Sequence, residues 1–255
     1  MIGSRSSSSS AGLAVDADVE DALRLVRTDS VAVMLYGSRA RGTDRPDSDI
    51  DILCLVKRSP GTVTVGNVSI NYYTPSDLAH LAGQGSLFIL HLRDEGVLIS
   101  DPCGTLDRIL NSYAARLDYT TLREDLKVVL DALGATDRDR YEQGLRRVGI
   151  WAVRSAVYIV CAEQQNFSFD TESACRRASV PELWSVLRQG SDVDLDQLRE
   201  LGLRVLDVKP ETSQCDLATM ALRSWDSEPA AAKVLESVIA GASQIEYTQL
   251  TLPAI

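Results

Sequence analysis

An apolar run from Val31 to Tyr36 stops abruptly at Gly37-Ser38, and a second run, Ile50 to Val56, opens on Asp49 and Asp51. No other stretch constrains the fold so tightly. Both runs are short, apolar and bounded by turn residues, which reads as a pair of buried strands. Side chains alternate across a strand. Asp49 and Asp51 therefore share one face, and Ile50, Ile52, Cys54 and Val56 share the other, where they can be buried. Two like charges on one face repel, so a purely structural strand gains nothing from them. A divalent cation removes that cost, and magnesium is usually held by one or two carboxylates plus substrate phosphates. The Gly37-Ser38 turn offers what a phosphate needs: close backbone approach, a hydroxyl, and a helix start whose free N–H groups attract anions. Together the two features read as a site for a metal ion and a nucleoside triphosphate.

In Tyr36-Gly37-Ser38-Arg39-Ala40-Arg41-Gly42-Thr43 and Ser48-Asp49-Ile50-Asp51-Ile52 the chain resembles the nucleotidyltransferase superfamily. That superfamily includes DNA polymerase beta and the small antibiotic-modifying and minimal nucleotidyltransferases. Its signature is an apolar strand, Gly-Ser or Gly-Gly, a spacer of about ten residues, then Asp-x-Asp or Asp-x-Glu in a strand. Gly37, Ser38, Asp49 and Asp51 match position by position, as do the Arg-Ala-Arg-Gly and Ser-Asp-Ile-Asp elaborations. The resemblance covers roughly residues 15–118. It implies a transferase that moves an NMP, with AMP the first choice, from ATP or another NTP to an acceptor hydroxyl, releasing pyrophosphate. It further implies Asp49 and Asp51 as catalytic residues and ligands of Mg²⁺. Gly37, Ser38 and Ser48 would line the nucleotide site, and Arg39 and Arg41 are candidate phosphate contacts.

The resemblance also exposes a departure. Active members carry a third acid on the strand beside the Asp-x-Asp strand. Here that strand should be Val68 to Tyr73, with Ser69 and Asn71 on the face available for the acid. Neither is acidic. Two readings stand. In one, Asn71 is a neutral ligand and the general base comes from Glu95 or from a glutamate such as Glu142. In the other, the protein is catalytically impaired, a nucleotide-binding or antitoxin-like interaction protein.

Along the chain, helical spacing is expected over 16–28, and Gly66-Asn67 between 62–65 and 68–73 reads as a hairpin. Further helices are expected near 76–83 and 86–95, with a short edge strand at 97–100. Beyond residue 104 only helical patterns remain: 104–116, 120–133, 138–165, 181–190, 194–207, 213–226 and 230–241. The fold class is therefore α+β: a mixed sheet with flanking helices, followed by an all-α bundle. The domain reading is a disordered tail over 1–14, a catalytic domain over 15–118 and a helical domain over 119–255.

One helix stands apart. Arg140, Gly144, Arg147, Trp151, Arg154 and Tyr158 recur at spacings of four and three and form one stripe. The stripe faces either solvent, or a cleft where Arg147 and Arg154 would meet phosphate and the rings a planar substrate. His91 and Glu95 share a face of another helix, either as a working pair near the cleft or as an ordinary polar edge. His80 reads as solvated, and Trp184 and Trp225 as core.

The net charge of −10 argues against non-specific nucleic-acid binding. A small-molecule acceptor is favoured, with a protein hydroxyl or an RNA 3′ end as alternatives. The serine-rich first ten residues lack the apolar stretch of a signal peptide, and no run is long enough to span a membrane. The five scattered cysteines form no CxxC pair. These features together read as a cytoplasmic protein with reduced thiols.

Overall fold

The structure, a computed structural model, describes residues 17–45, 48–211 and 215–241. The serine-rich tail and the Pro46-Asp47 step of the loop before Asp49 lie outside the described residues.

The N-terminal part is built on a five-stranded sheet of order β3-β4-β2-β1-β5. After α1 (Ala17–Leu23) come β1 (Ala32–Tyr36), α2 (Gly37–Arg41), β2 (Ile50–Leu55), β3 (Thr62–Val65) and β4 (Val68–Tyr73). Then follow α3 (Pro75–Gly83), α4 (Leu87–Glu95), β5 (Val97–Ser100) and α5 (Thr105–Asn111). The two strands that carry the signature, β1 and β2, pair antiparallel with Tyr36 opposite Asp51. On its other side β2 runs parallel to β4, with Asp51 opposite Ser69 and Leu53 opposite Asn71. β3 and β4 form the expected hairpin, and β5 is the expected edge strand.

Alternation divides the sheet as the sequence dictates. Ile50, Ile52 and Cys54 pack with Val19 and Ala22 of α1 on one face. Leu53, Leu55, Met34, Tyr36 and Tyr73 pack with α3, α4 and α5 on the other. Asp51 sits on that second face, at the end of the strand nearest the Gly37 turn. α3 starts on a capping box: the Thr74 hydroxyl accepts from the Asp77 N–H and the Asp77 carboxylate accepts from the Thr74 N–H.

Among the described residues the remaining elements are helical, the longer ones being α6 (Thr120–Ala132), α7 (Glu142–Glu163), α8 (Thr171–Arg177), α9 (Leu183–Leu187), α10 (Leu195–Val205), α11 (Leu217–Ser224) and α12 (Pro229–Ile239). α7 is the axis of the bundle and packs against α6, α8, α10 and α12. Leu87 and Leu90 of α4 are buried in the same hydrophobic cluster as α6 and α7, so the two halves share a core.

Three expectations need correction. The long helix does not begin at 138: Arg138–Tyr141 form a 3-10 turn, and Arg140 lies in that turn with its guanidinium 5.3 Å from the Tyr141 ring. Its stripe is not a polar face either. Trp151 is 4% exposed and Tyr158 2%, both inside the bundle core. Of the tryptophans read as core, Trp225 is 38% exposed and donates to Glu236 at 2.9 Å. His80 is exposed as expected.

Candidate active site

The site starts at the end of β1. Gly37 has φ +79°, a left-handed conformation that disfavours any side chain, and it brings the chain into α2 against Asp51. α2 spans only five residues and closes on Gly42 at φ +66°. Ser38 lies in its first turn, and its carbonyl accepts the Thr43 N–H at 3.1 Å.

Asp49 is exposed and Asp51 half-buried. Burial pushes the Asp51 carboxyl up to about 6, the charge of Asp49 pushes it the same way, and Arg41 opposes. Asp49 is thus close enough to disfavour the charge of Asp51, which a bound cation would relieve. Among the described residues no group of three or more His, Cys, Asp or Glu forms a metal site. Two carboxylates fit a magnesium ion that completes its shell with phosphate and water, and do not fit a site closed by protein alone.

The neutral strand is now placed. Ser69 is the direct neighbour of Asp51 on β4, and Asn71 lies one pleat deeper. Asn71 is already occupied: its carbonyl accepts from Thr62 Oγ1 at 2.6 Å and its amide donates to Tyr36 OH at 2.7 Å. Tyr36 reaches Asn71 across β2, so the amide ties three strands together. Burial, with Asp51 next, raises the Tyr36 phenol well above its ordinary value.

The two loop arginines differ. Arg39 is turned into the loop, 3.5 Å from Asp44, 3.8 Å from Asp18 and 3.4 Å from the Ser48 carbonyl. Arg41 donates to Glu95 at 2.9 Å and lies 3.4 Å from His91 Nε2. Glu95 in turn accepts the Phe169 N–H at 3.2 Å. Burial opposes ionisation of Glu95, but His91, the Phe169 N–H and Arg41 together outweigh it and lower its pKa. Phe169 stacks on the His91 ring at 4.7 Å. Glu142 is paired instead with Arg146 on its own helix.

A cleft of about 680 Å³ lies between the two halves. One wall is Ser38, Arg41, Thr43, Arg45 and Ser48. The other is Arg154, Asp170, Thr171, Glu172, Ser173, Arg176 and Trp184. Four residues singled out in the sequence, Ser38, Arg41, Ser48 and Arg154, therefore meet in one space. Asp49, Asp51, Gly37, Arg39, Asn71 and Arg147 are not among its lining residues. Trp184, read as core, is on its wall.

The sequence reading missed most of the second wall. α8 and the residues before it supply Asp170 to Arg176, and no helix was expected there. Its seven residues include only two buried ones, Ala174 and Cys175, too few to show a period. The available signal was Asp170, whose carboxylate caps the helix by accepting the Ser173 N–H at 2.9 Å.

Comparison with protein families finds a match in the N-terminal part of the chain. Residues 19–79 match the family model described as nucleotidyltransferase domain. Residues 19–79 are thus similar to a nucleotidyltransferase domain, a type that points to nucleotide transfer, and the matched span contains Gly37, Ser38, Asp49, Asp51 and Ser69. Glu95, Arg154 and the α8 wall lie beyond it. The comparison with curated proteins finds no match.

Proposed function

We propose that this chain moves an NMP, with AMP the first choice, from an NTP to an acceptor hydroxyl and releases pyrophosphate. The observation that carries this reading is the position of Asp51, beside Gly37 at the Gly-Ser turn, where burial first and the charge of Asp49 second push its carboxyl up. The acceptor oxygen would bond to the α-phosphorus as the α–β bridging bond breaks, the hydroxyl proton passing to water and the bridging oxygen leaving with the pyrophosphate. Asp49 and Asp51 would hold Mg²⁺, which when bound neutralises charge on the α-phosphoryl and the leaving pyrophosphate. Ser38 and the Gly37 turn would bind the outer phosphates. Arg41 and Arg154 would approach the nucleotide from opposite walls, as charge-assisted donors. Arg39 would hold the loop that carries Ser48. Most of the rate enhancement would come from positioning and electrostatics.

We assign residues 15–118 to the catalytic domain and 119–255 to a helical domain that forms the acceptor side. The cleft volume lies within the range of small-molecule sites, which favours a small acceptor. Among the described residues no helix is long and apolar enough to cross a membrane. The free cysteines, with Cys54, Cys161 and Cys175 buried, support a cytoplasmic location.

The neutral Ser69 opposite Asp51 favours a second reading, nucleotide binding without transfer. One experiment separates the two. The full chain is incubated with γ-labelled NTPs, with and without Mg²⁺, beside Asp49→Ala and Asp51→Ala. Mg²⁺-dependent pyrophosphate release that both variants abolish supports the enzyme. Nucleotide binding without turnover supports the second reading, and parental behaviour of both variants rejects the site.

A further inference from the structure

Glu95 stands where a carboxylate is locally disfavoured. It is in the last turn of α4, at the negative end of the helix dipole, and its side chain is only 20% exposed. Its two oxygens are divided between the two halves of the cleft. Oε2 accepts from Arg41, on the helix that follows the Gly37-Ser38 turn. Oε1 accepts the N–H of Phe169, in the segment that leads into α8.

The junction is built on both sides. The Phe169 ring stacks on His91 at 4.7 Å and lies 5.5 Å from the Tyr158 ring. The Tyr158 hydroxyl meets the Phe169 carbonyl and the Thr171 hydroxyl, each at 3.1 Å. Thr171 lines the cleft. An unbroken set of contacts thus runs from the phosphate-type turn through Arg41, Glu95 and Phe169 to the opposite wall. A general base needs a free lone pair facing the acceptor, whereas Glu95 spends one oxygen on each wall and is not among the residues lining the cleft.

We propose that Glu95 is a positioning residue: it aims the Arg41 guanidinium at the bound nucleotide and fixes the α8 wall opposite it. This rests on the nucleotide-transfer reading. It makes Glu95 act through Arg41 and through the Phe169 backbone, not on the reacting atoms.

The test is a double-mutant cycle on Mg-ATP affinity in the full chain, with thermal melts as the folding control. Glu95→Gln keeps the shape and removes the charge. It should weaken Mg-ATP binding about tenfold in the parent, equivalent to about 1.4 kcal/mol. In an Arg41→Ala background the same change should alter affinity less than twofold. A second readout is hydrogen exchange of the Phe169–Thr171 amides. Mg-ATP should slow it in the parent and not in Glu95→Gln. Equal losses in both backgrounds, no loss in either, or retained protection in Glu95→Gln would overturn the proposal. If the parent binds no Mg-NTP at all, the nucleotide reading itself fails and takes this inference with it. Binding by the parent with additive variants sinks the inference alone.

Discussion

A Cβ on Gly37 would lie 2.5 Å from Oδ2 of Asp51. The turn and the carboxylate are therefore fitted to each other, and the glycine is needed twice: for its left-handed backbone and for the space its missing side chain leaves. Gly37→Ala should destabilise the protein by about 1–3 kcal/mol through backbone strain. It should also displace the Asp51 carboxylate and weaken Mg-ATP binding at least tenfold. Calorimetric melts and titrations check both. A variant with strained stability but parental binding would show that nucleotide is held away from this turn.

The neutral neighbour strand makes a sharper prediction than the sequence allowed. Ser69 and Asn71 are equivalent by alternation, but only Ser69 pairs with Asp51, and only Asn71 bridges Thr62 and Tyr36. Ser69→Asp should tighten Mg²⁺ binding by adding a carboxylate beside the first two. Asn71→Asp should instead lose its amide donor to Tyr36 and bury a charge, destabilising the fold by about 1–3 kcal/mol. Metal titration and thermal melts of the two variants should separate them. Tighter metal binding by Asn71→Asp alone would place the site one pleat deeper.

The strands, the hairpin and the Gly-Ser turn were legible because each has a local cause: a two-residue period, a Gly66-Asn67 turn, and an apolar run that stops at Gly37. Long-range placement was not. Arg41 finds Glu95 across a separation of 54 residues, and Glu95 finds a backbone N–H at Phe169, which carries no side-chain signature at all. α8 was hidden because its exposed cleft wall leaves too few apolar positions to count. The stripe on α7 was misread in part because Trp151 and Tyr158 look amphipathic in sequence, and burial by α8 and its neighbours is decided elsewhere in the chain.

The same stripe now separates its arginines. Arg154 lines the cleft, and its buried Nε has no hydrogen-bond partner among the described residues. Arg147 does not line the cleft. A charge-assisted hydrogen bond to phosphate contributes roughly 1.5–3 kcal/mol. Arg154→Ala should thus weaken nucleotide binding by roughly ten- to a hundredfold. Arg147→Ala should leave affinity within about twofold, whatever it does to stability. Affinity measurements with circular dichroism as a folding control decide this. Equal effects of the two variants would mean that the arginines act through the packing of α7.

The last prediction concerns stability and pH. Asp125 on α6 is 2% exposed, and its carboxylate accepts the Ala231 N–H at 3.0 Å in the first turn of α12. A helix N-terminus and a backbone donor both favour the charged form. Burial outweighs them, Glu228 and Glu124 add repulsion, and the carboxyl is raised to about 6. In the unfolded chain it returns to about 3.9. Between those values the native state holds a proton that the unfolded state has lost. The group's contribution is therefore most favourable below pH 4 and is lost as pH rises through 6. A shift of about two units corresponds to about 2–3 kcal/mol above that range. Asp125→Asn keeps an oxygen for the Ala231 N–H and removes the buried charge. Its melting temperature should exceed the parent's by roughly 4–10 °C at pH 8 and by far less at pH 4.5. Scanning calorimetry at the two pH values checks the difference. Equal destabilisation at both would mean that the carboxylate itself, and not just an acceptor oxygen, is what holds α12 to α6.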